Sequence, residues 1–269
     1  MNYLENLFSL ENKTAVVAGG AGAIGSVMSD ALLRAGANVV VWSRTKESAQ
    51  NFAKDYNGEL AERLHTLQVD TGNEKKVAEA FDKSSAHFTV PDILINCVGG
   101  NQGKCPFIDI DIDRFREILD INLTAGLVIP TKLFCKRWID TGIEGSIINL
   151  TSMTSYNPLS GVWAYDAAKA ATLNLTMATA NEFARHGIRV NAIAPGFFIG
   201  KQNKALLIDE KTGGLTKRGK AVIDRTPFKR FGDISELAGA TLFLASNRAS
   251  GFITGISIPV DGGYLVHNI

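Results

Sequence analysis

Residues 14–36 read TAVVAGGAGAIGSVMSDALLRAG. The first five are a small and β-branched apolar run, Ala18 to Gly25 is rich in glycine, and the remainder carries apolar residues at helical spacing. A switch from a continuous apolar run to a 3.6-residue period across glycines predicts a strand, a tight turn and a helix. Gly20, Gly22 and Gly25 satisfy the spacing GxGxxG. Glycines at such a turn let the backbone approach a pyrophosphate, and the free amides and dipole of the helix N-terminus favour its negative charge. A lone glycine triplet would serve close helix–strand packing equally well, so its place between strand and helix gives the motif its weight.

Outward from that unit, strand-like runs recur at residues 38–42, 65–69, 92–97, 146–150, 188–193 and 255–258, with helical spacing between most of them. Several are near-continuous aliphatic runs, as for parallel strands covered on both faces by crossover helices. The alternation predicts an α/β fold: a single-domain, Rossmann-type doubly wound parallel sheet of about seven strands flanked by helices, spanning residues 1–269. Pro130 falls inside a helical stretch from about Asp113 to Trp138, where loss of a backbone donor predicts a kink or interruption. The segment after the sixth strand, about 198–230, fits neither strand nor crossover, and its length suits a substrate lid.

Composition narrows the class of partner. The 269 residues carry 28 basic and 27 acidic side chains, a formal charge of +1, so the footprint of a general nucleic-acid binder is missing. Cys97, Cys105 and Cys135 form no CxxC pair, which suits a reducing, cytoplasmic setting. The N-terminus lacks a basic stretch followed by an apolar one, and no uncharged, glycine-free apolar run approaches the ~20 residues of a membrane span. His65, His87, His186 and His267 show no ligand spacing, so no protein metal site is expected. Charge is nonetheless uneven: residues 201–230 hold nine basic and three acidic side chains, a local +6. Such a lid would concentrate an anionic substrate, and an arginine in it would grip a carboxylate. The alternative is a solvated charge run on a surface loop.

Tyr165 and Lys169 stand four apart in YDAAK and share one face of a helix. A phenol with its ordinary pKa near ~10 is a poor proton carrier at neutral pH, and a neighbouring ammonium lowers it. Ser152 lies thirteen residues earlier at the end of IINLTS, and Asn122 lies in ILDINLTAG. At the end of the second strand stand Ser43 and Arg44, with no acid before Glu47. An acid there would bind a ribose 2′-hydroxyl, whereas an arginine accommodates a 2′-phosphate. This favours NADP(H), with NAD(H) the alternative if Arg44 is only a surface charge.

Taken together these motifs resemble the short-chain dehydrogenase/reductase (SDR) family from Leu10 to about Tyr264. AGGAGAIG is similar to its glycine turn, with Gly19 and Gly25 on the first and last glycines and Ala23 and Ile24 between them. INCVGG is similar to its NNAG segment, keeping Asn96 and Gly99 around Cys97 and Val98. Asp70, followed by Thr71, matches the acid beside the adenine. Pro195 and Gly196 match the segment next to the nicotinamide, where Phe198, Ile199 and Gly200 replace the usual threonine. Asn122, Ser152, Tyr165 and Lys169 match the catalytic tetrad. The resemblance implies hydride transfer between nicotinamide and a secondary alcohol or ketone. Tyr165 would be the acid/base, Lys169 would bind the ribose and lower the tyrosine pKa, Ser152 would orient the substrate oxygen and Asn122 would position a water. It also implies a homotetramer built through the helix before Ser152, with Leu123, Leu127 and Phe134, and the helix carrying Tyr165, with Leu173, Leu175 and Met177.

The stretches RVNAIAPGFF, LTKRGK and TPFKRFG, with GGNQ at 99–102, are similar to the D-mannonate oxidoreductase, or fructuronate reductase, subgroup. A sugar-acid substrate is then implied, contacted by Asn101, Ser152, Asn157, Gln202, Asn203 and Arg218. The alternatives are a gluconate 5-dehydrogenase-like or 3-oxoacyl-carrier-protein reductase-like enzyme. A non-catalytic NADP(H)-binding sensor is disfavoured because Tyr165 and Lys169 are both present.

Overall fold

In the computed structural model, which describes residues 2–159, 161–200, 204–209 and 212–268, the strands form one parallel sheet. They are β1 (Thr14–Ala18), β2 (Asn38–Ser43), β3 (Leu64–Gln68), β4 (Ile93–Asn96), β5 (Ser146–Leu150), β6 (Arg189–Pro195) and β7 (Ser257–Val260). Their order is β3-β2-β1-β4-β5-β6-β7. The chain thus leaves β1 in one direction for β2 and β3, then crosses back to β4. That reversal opens a crevice at the carboxyl ends of β1 and β4, the usual ligand position in doubly wound sheets.

The apolar runs are continuous because each strand feeds two cores. Ala15 and Val17 of β1 pack with Met28, Leu32 and Leu244 on one face. Val16 and Ala18 pack with Trp42, Phe134 and Trp138 on the other. Strand ends depart from the sequence reading by one or two residues for local reasons: Gly255, expected in β7, has φ +79 and belongs to the turn before it.

The stretch around Pro130 stays helical. An α-helix at Ile112–Leu119 passes into a π-helix at Asp120–Val128 and returns to α-helix at Ile129–Thr141. Pro130 lies in the first turn of that last helix, and the Ile129 N–H reaches back five residues to the Thr124 carbonyl. The expected break is therefore a local widening, which accommodates a residue without an N–H. Within the combined 112–141 helix the most apolar 18-residue window has mean hydropathy 1.4, enough by length and composition to cross a membrane, but 56% of that window is buried inside the protein.

The segment after β6 is neither strand nor crossover helix. Short helices at Lys204–Leu207 and Lys217–Arg225 dock on one another, with the Thr216 N–H donating to the Leu207 carbonyl at 3.0 Å. A Cβ on Gly219 would lie 2.1 Å from that same carbonyl oxygen, so only glycine permits the contact. Two expected substrate contacts in this segment, Gln202 and Asn203, lie outside the described residues.

Candidate active site

Gly19 leaves β1 with φ +80, and a Cβ there would lie 2.8 Å from the Cys97 carbonyl oxygen. On Gly25 a Cβ would lie 2.3 Å from the Gly19 carbonyl oxygen. Both positions therefore require glycine, and the turn they make leaves bare backbone at the crevice. The 12-residue helix Ala23–Arg34 begins at Gly22 with no side-chain cap. Its first amides, at Ala23 and Ile24, are thus placed to receive an anion. A cradle that a side chain would fill and an uncapped helix start fit a dinucleotide pyrophosphate.

At the far end of the crevice Ser43 is buried and Arg44 exposed. Arg44 lines a cleft of about 580 Å³ with Asp70, Lys76 and Lys83. Asp70 accepts the Gly72 N–H at 3.1 Å and stands 3.9 Å from Lys76, while Thr71 beside it is buried. Val98 and Gly99 follow β4, and Gly196 follows Pro195 at the end of β6, its N–H donating to the Val260 carbonyl at 2.9 Å.

Two of the expected cofactor-contact residues turn their side chains away from the crevice. Asn96 is buried, and its amide donates to Thr131 at 3.0 Å and to Asn149 at 2.9 Å, so it ties β4 to β5 and to the helix behind them. Phe198 has its ring in the core against Gly232, where a Cβ would come within 2.4 Å of it, so the ring does not face the crevice. Phe134, expected at a subunit surface, is likewise core, fully buried among Trp42, Phe81 and Trp138.

Tyr165 and Lys169 lie one turn apart on the helix Trp163–Phe183, with Lys169 Nζ 5.7 Å from the centre of the tyrosine ring. Nζ donates to the Leu150 carbonyl at 2.7 Å, at the end of β5. Ser152, two residues on, caps the turn Met153–Ser155 by accepting the Thr154 N–H at 3.2 Å. The Ser155 hydroxyl donates to the Lys169 carbonyl at 2.7 Å, locking that turn to the helix. Asn122, in the π-helix, donates to the Gly100 and Ile118 carbonyls at 2.7 and 2.8 Å and accepts the Gly100 N–H at 2.9 Å. Both its amide hydrogens are committed, so the expected water is not held by them; Asn122 anchors the loop after β4. Gly99, with φ +156, permits this, since a Cβ there would lie 2.5 Å from Asn122 Oδ1.

Burial pushes the Lys169 ammonium down to about 8, opposed by the nearby Cys97 thiol. Cys97 itself is pushed up to about 11 by burial. Tyr165 is raised, first by burial, with a hydrogen bond to Ser152 acting the other way. In the chain alone, burial is the first influence on the phenol. Of the expected substrate contacts, Asn101 is exposed, its amide donating to the Gly103 carbonyl at 3.0 Å, while Asn157 and Arg218 are half-buried. Sequence reasoning missed Asn149, Thr131 and Thr176, although a polar residue inside the apolar run SIINL was the available signal. Among the described residues no group of three or more His, Cys, Asp or Glu is placed to hold a metal ion.

A doubly wound sheet with a glycine cradle at its switch point and a Ser, Tyr and Lys set beside it defines a nicotinamide-dependent dehydrogenase or reductase. Residues 19–265 match the family model described as enoyl-(acyl carrier protein) reductase. The chain is 37% identical over 274 residues to an uncharacterized oxidoreductase, UxuB, of Bacillus subtilis (strain 168), with 97% of each covered. Among solved structures it is similar to a Haemophilus influenza protein provisionally named D-mannonate oxidoreductase, with NAD bound (TM-score 0.89, 32% identity, 99% of each chain covered). It is also similar to a gluconate 5-dehydrogenase from Burkholderia cenocepacia J2315 in complex with NADP and tartrate (TM-score 0.86, 29% identity, 99% of this chain and 100% of that one). The chain belongs to the short-chain dehydrogenase/reductase family and is an NAD(P)-dependent oxidoreductase.

Proposed function

We propose that this protein interconverts a ketone and a secondary alcohol on a sugar acid of the D-fructuronate/D-mannonate type, with NADP(H) preferred over NAD(H). The observation that carries the reading is the placement of Tyr165 and Lys169 on one helix, with Lys169 held at the end of β5 two residues before Ser152, and the local +6 charge of residues 201–230 supports an anionic substrate. The nicotinamide, when bound, supplies or accepts the hydride.

The chain's own groups do the rest. Tyr165 donates its phenolic proton to the substrate oxygen during reduction and recovers it during oxidation. Ser152, two residues beyond the Leu150 carbonyl that holds Lys169, orients that oxygen. Lys169, held by the Leu150 carbonyl, places a cation beside the phenol, where it favours the deprotonated form as charge develops. Gly19, Ala23, Ile24 and Gly25 hold the pyrophosphate, Asp70 and Thr71 the adenine end, Val98, Gly99, Pro195 and Gly196 the nicotinamide end, and Arg44 a 2′-phosphate. Asn101, Asn157 and Arg218 flank the substrate. The near relative solved with tartrate favours one second reading, a gluconate 5-dehydrogenase-like activity, because tartrate is itself a hydroxy acid.

We further propose a cytoplasmic homotetramer. An apolar cleft of about 390 Å³, lined by Leu127, Cys135, Ile139, Leu175, Thr179 and Phe183, lies between the two helices such an assembly would use.

The test is nicotinamide absorbance during turnover of D-fructuronate, D-tagaturonate, 5-ketogluconate and an acetoacetyl thioester, each with NADPH and NADH. Oxidation confined to the uronates is expected; activity only on the thioester would overturn the sugar-acid reading. Tyr165→Phe should lower turnover by about 10²–10⁴-fold, the usual worth of a positioned acid/base, with NADPH affinity largely kept. Substantial activity in a folded variant would remove Tyr165 from that role.

A further inference from the structure

We propose that Tyr264 is a positioning residue for the reaction: its ring is the common support on which the substrate lid and the turn that follows Ser152 are set against each other. The inference rests on residues 198–230 being that lid and on Ser152 orienting the substrate oxygen, and not on which sugar acid is bound.

Beyond β7 the chain passes through Asp261, Gly262 and Gly263 into a single 3-10 turn, Tyr264–Val266. The Asp261 carboxylate accepts the Gly263 and Leu265 N–H groups at 2.9 and 2.8 Å, so the turn is held from within. Tyr264 is nevertheless buried, and a ring in so short a turn is covered only by what other segments bring to it. Met153 and Ala194 form a small separate core with it, and the Phe197 ring centre lies 5.0 Å from its own. Met153 follows Ser152 in the chain and Phe197 follows Gly196. Tyr264 is therefore packed against the immediate neighbours of the residue at the substrate oxygen and of the residue at the nicotinamide end.

The same ring receives the lid. Arg225 ends the helix Lys217–Arg225, and its Cζ stands 4.8 Å from the centre of the Tyr264 ring, within cation–π distance. The next residues of the lid dock on the same turn. The Phe228 N–H donates to the Gly262 carbonyl at 3.2 Å, and Gly263, with φ +87, brings its backbone against Pro227, where a Cβ would lie 2.9 Å from Cγ. Close-packed side chains transmit displacement rather than absorb it, so the end of the lid helix and the turn Met153–Ser155 share one position. A ligand that needs both Ser152 and the lid reads this contact in its KM, whereas the cofactor, held by the glycine turn after β1, does not.

The experiment measures amide hydrogen–deuterium exchange of residues 217–228 and steady-state reduction of D-fructuronate by NADPH in the wild type, Arg225→Met, Tyr264→Phe and Tyr264→Leu. Arg225 is exposed and methionine keeps its apolar stem, so Arg225→Met tests the contact without disturbing the core. Loss of the cation–π contact in Arg225→Met should speed exchange of 217–228 and raise the KM for D-fructuronate roughly two- to fivefold, with kcat and NADPH affinity changed by less than about twofold. Tyr264→Phe keeps the ring and should match the wild type, whereas Tyr264→Leu should exceed Arg225→Met in both readouts. Exchange across β1 to β5 stays at its wild-type rate if the effect is local, and a general rise there would assign it to loss of stability and overturn the positioning role. Wild-type exchange at 217–228 in Arg225→Met and Tyr264→Leu would overturn the shared support. Faster exchange with an unchanged KM would leave the contact structural only and also overturn the role. A wild type inactive on D-fructuronate would overturn the sugar-acid reading alone; the KM comparison then uses 5-ketogluconate or the acetoacetyl thioester, whichever is reduced, and the exchange arm decides the coupling regardless.

Discussion

Single residues at the crevice divide by whether their chemistry is free to act outward. Asn96 and Phe198 occupy positions that motif matching assigns to the cofactor, yet one is bonded into the sheet and the other buried in the core. Arg44 is the opposite case: exposed at the end of β2, it lines the cleft with Lys76 and Lys83. Arg44→Asp should shift the NADPH/NADH ratio of kcat/KM by roughly tenfold or more toward NADH, because it removes a phosphate partner and adds a ribose acceptor. Steady-state kinetics with both cofactors check this, and an unchanged ratio would place Arg44 outside the phosphate site. The preference for arginine over an acid here was legible in the sequence, whereas the burial of Asn96 was not, since a motif fixes a position and not the direction of a side chain.

At the scale of elements, a polar chain threads the core behind the tetrad. Thr131 and Asn149 both receive the Asn96 amide, and Asn149 in turn donates to Thr176 at 3.0 Å, so β4, β5 and the helix carrying Tyr165 and Lys169 are joined. All four side chains are buried, so each bond replaces water that cannot enter. Asn149→Ala should destabilise the fold by roughly 2–3 kcal/mol, since it opens a small cavity and leaves polar partners unsatisfied. Urea unfolding gives the value, and a loss under 0.5 kcal/mol, typical of surface changes, would deny the chain its structural role. The π-helix at Asp120–Val128 belongs to the same scale. Its residues DINLTAGLV have an ordinary helical pattern, and the widening depends on Pro130 beyond it and on the close approach of Gly126, whose Cβ would lie 2.7 Å from the Val98 carbonyl oxygen.

For the whole molecule, Asp166 links the site to global stability. Burial raises its carboxyl to about 6, against the Leu159 N–H and the Lys104 charge. Between pH 4 and 6, approximately the unfolded and folded values, the native state holds a proton that the unfolded chain has released, so stability from this group falls as pH rises. Above pH 6 the ionised group costs on the order of 2 kcal/mol. Asp166→Asn should therefore raise Tm at pH 7.5 by roughly 4–8 °C, with the gain shrinking toward pH 4.5. Calorimetry across that range checks it, and a gain that did not depend on pH would show that ionisation is not the cause.

The sequence by itself determined the succession of strands and helices, the glycine turn after β1 and the shared helix face of Tyr165 and Lys169, because apolar periodicity, glycine turns and i,i+4 spacing are local properties of the chain. Only the tertiary structure decided which matched residues face the crevice and which face the core. It also decided that Lys169 rests on Leu150 with its ammonium lowered by burial, and that burial raises Tyr165. Desolvation and charge proximity depend on neighbours brought in by the fold, and neither is written at any single position along the chain.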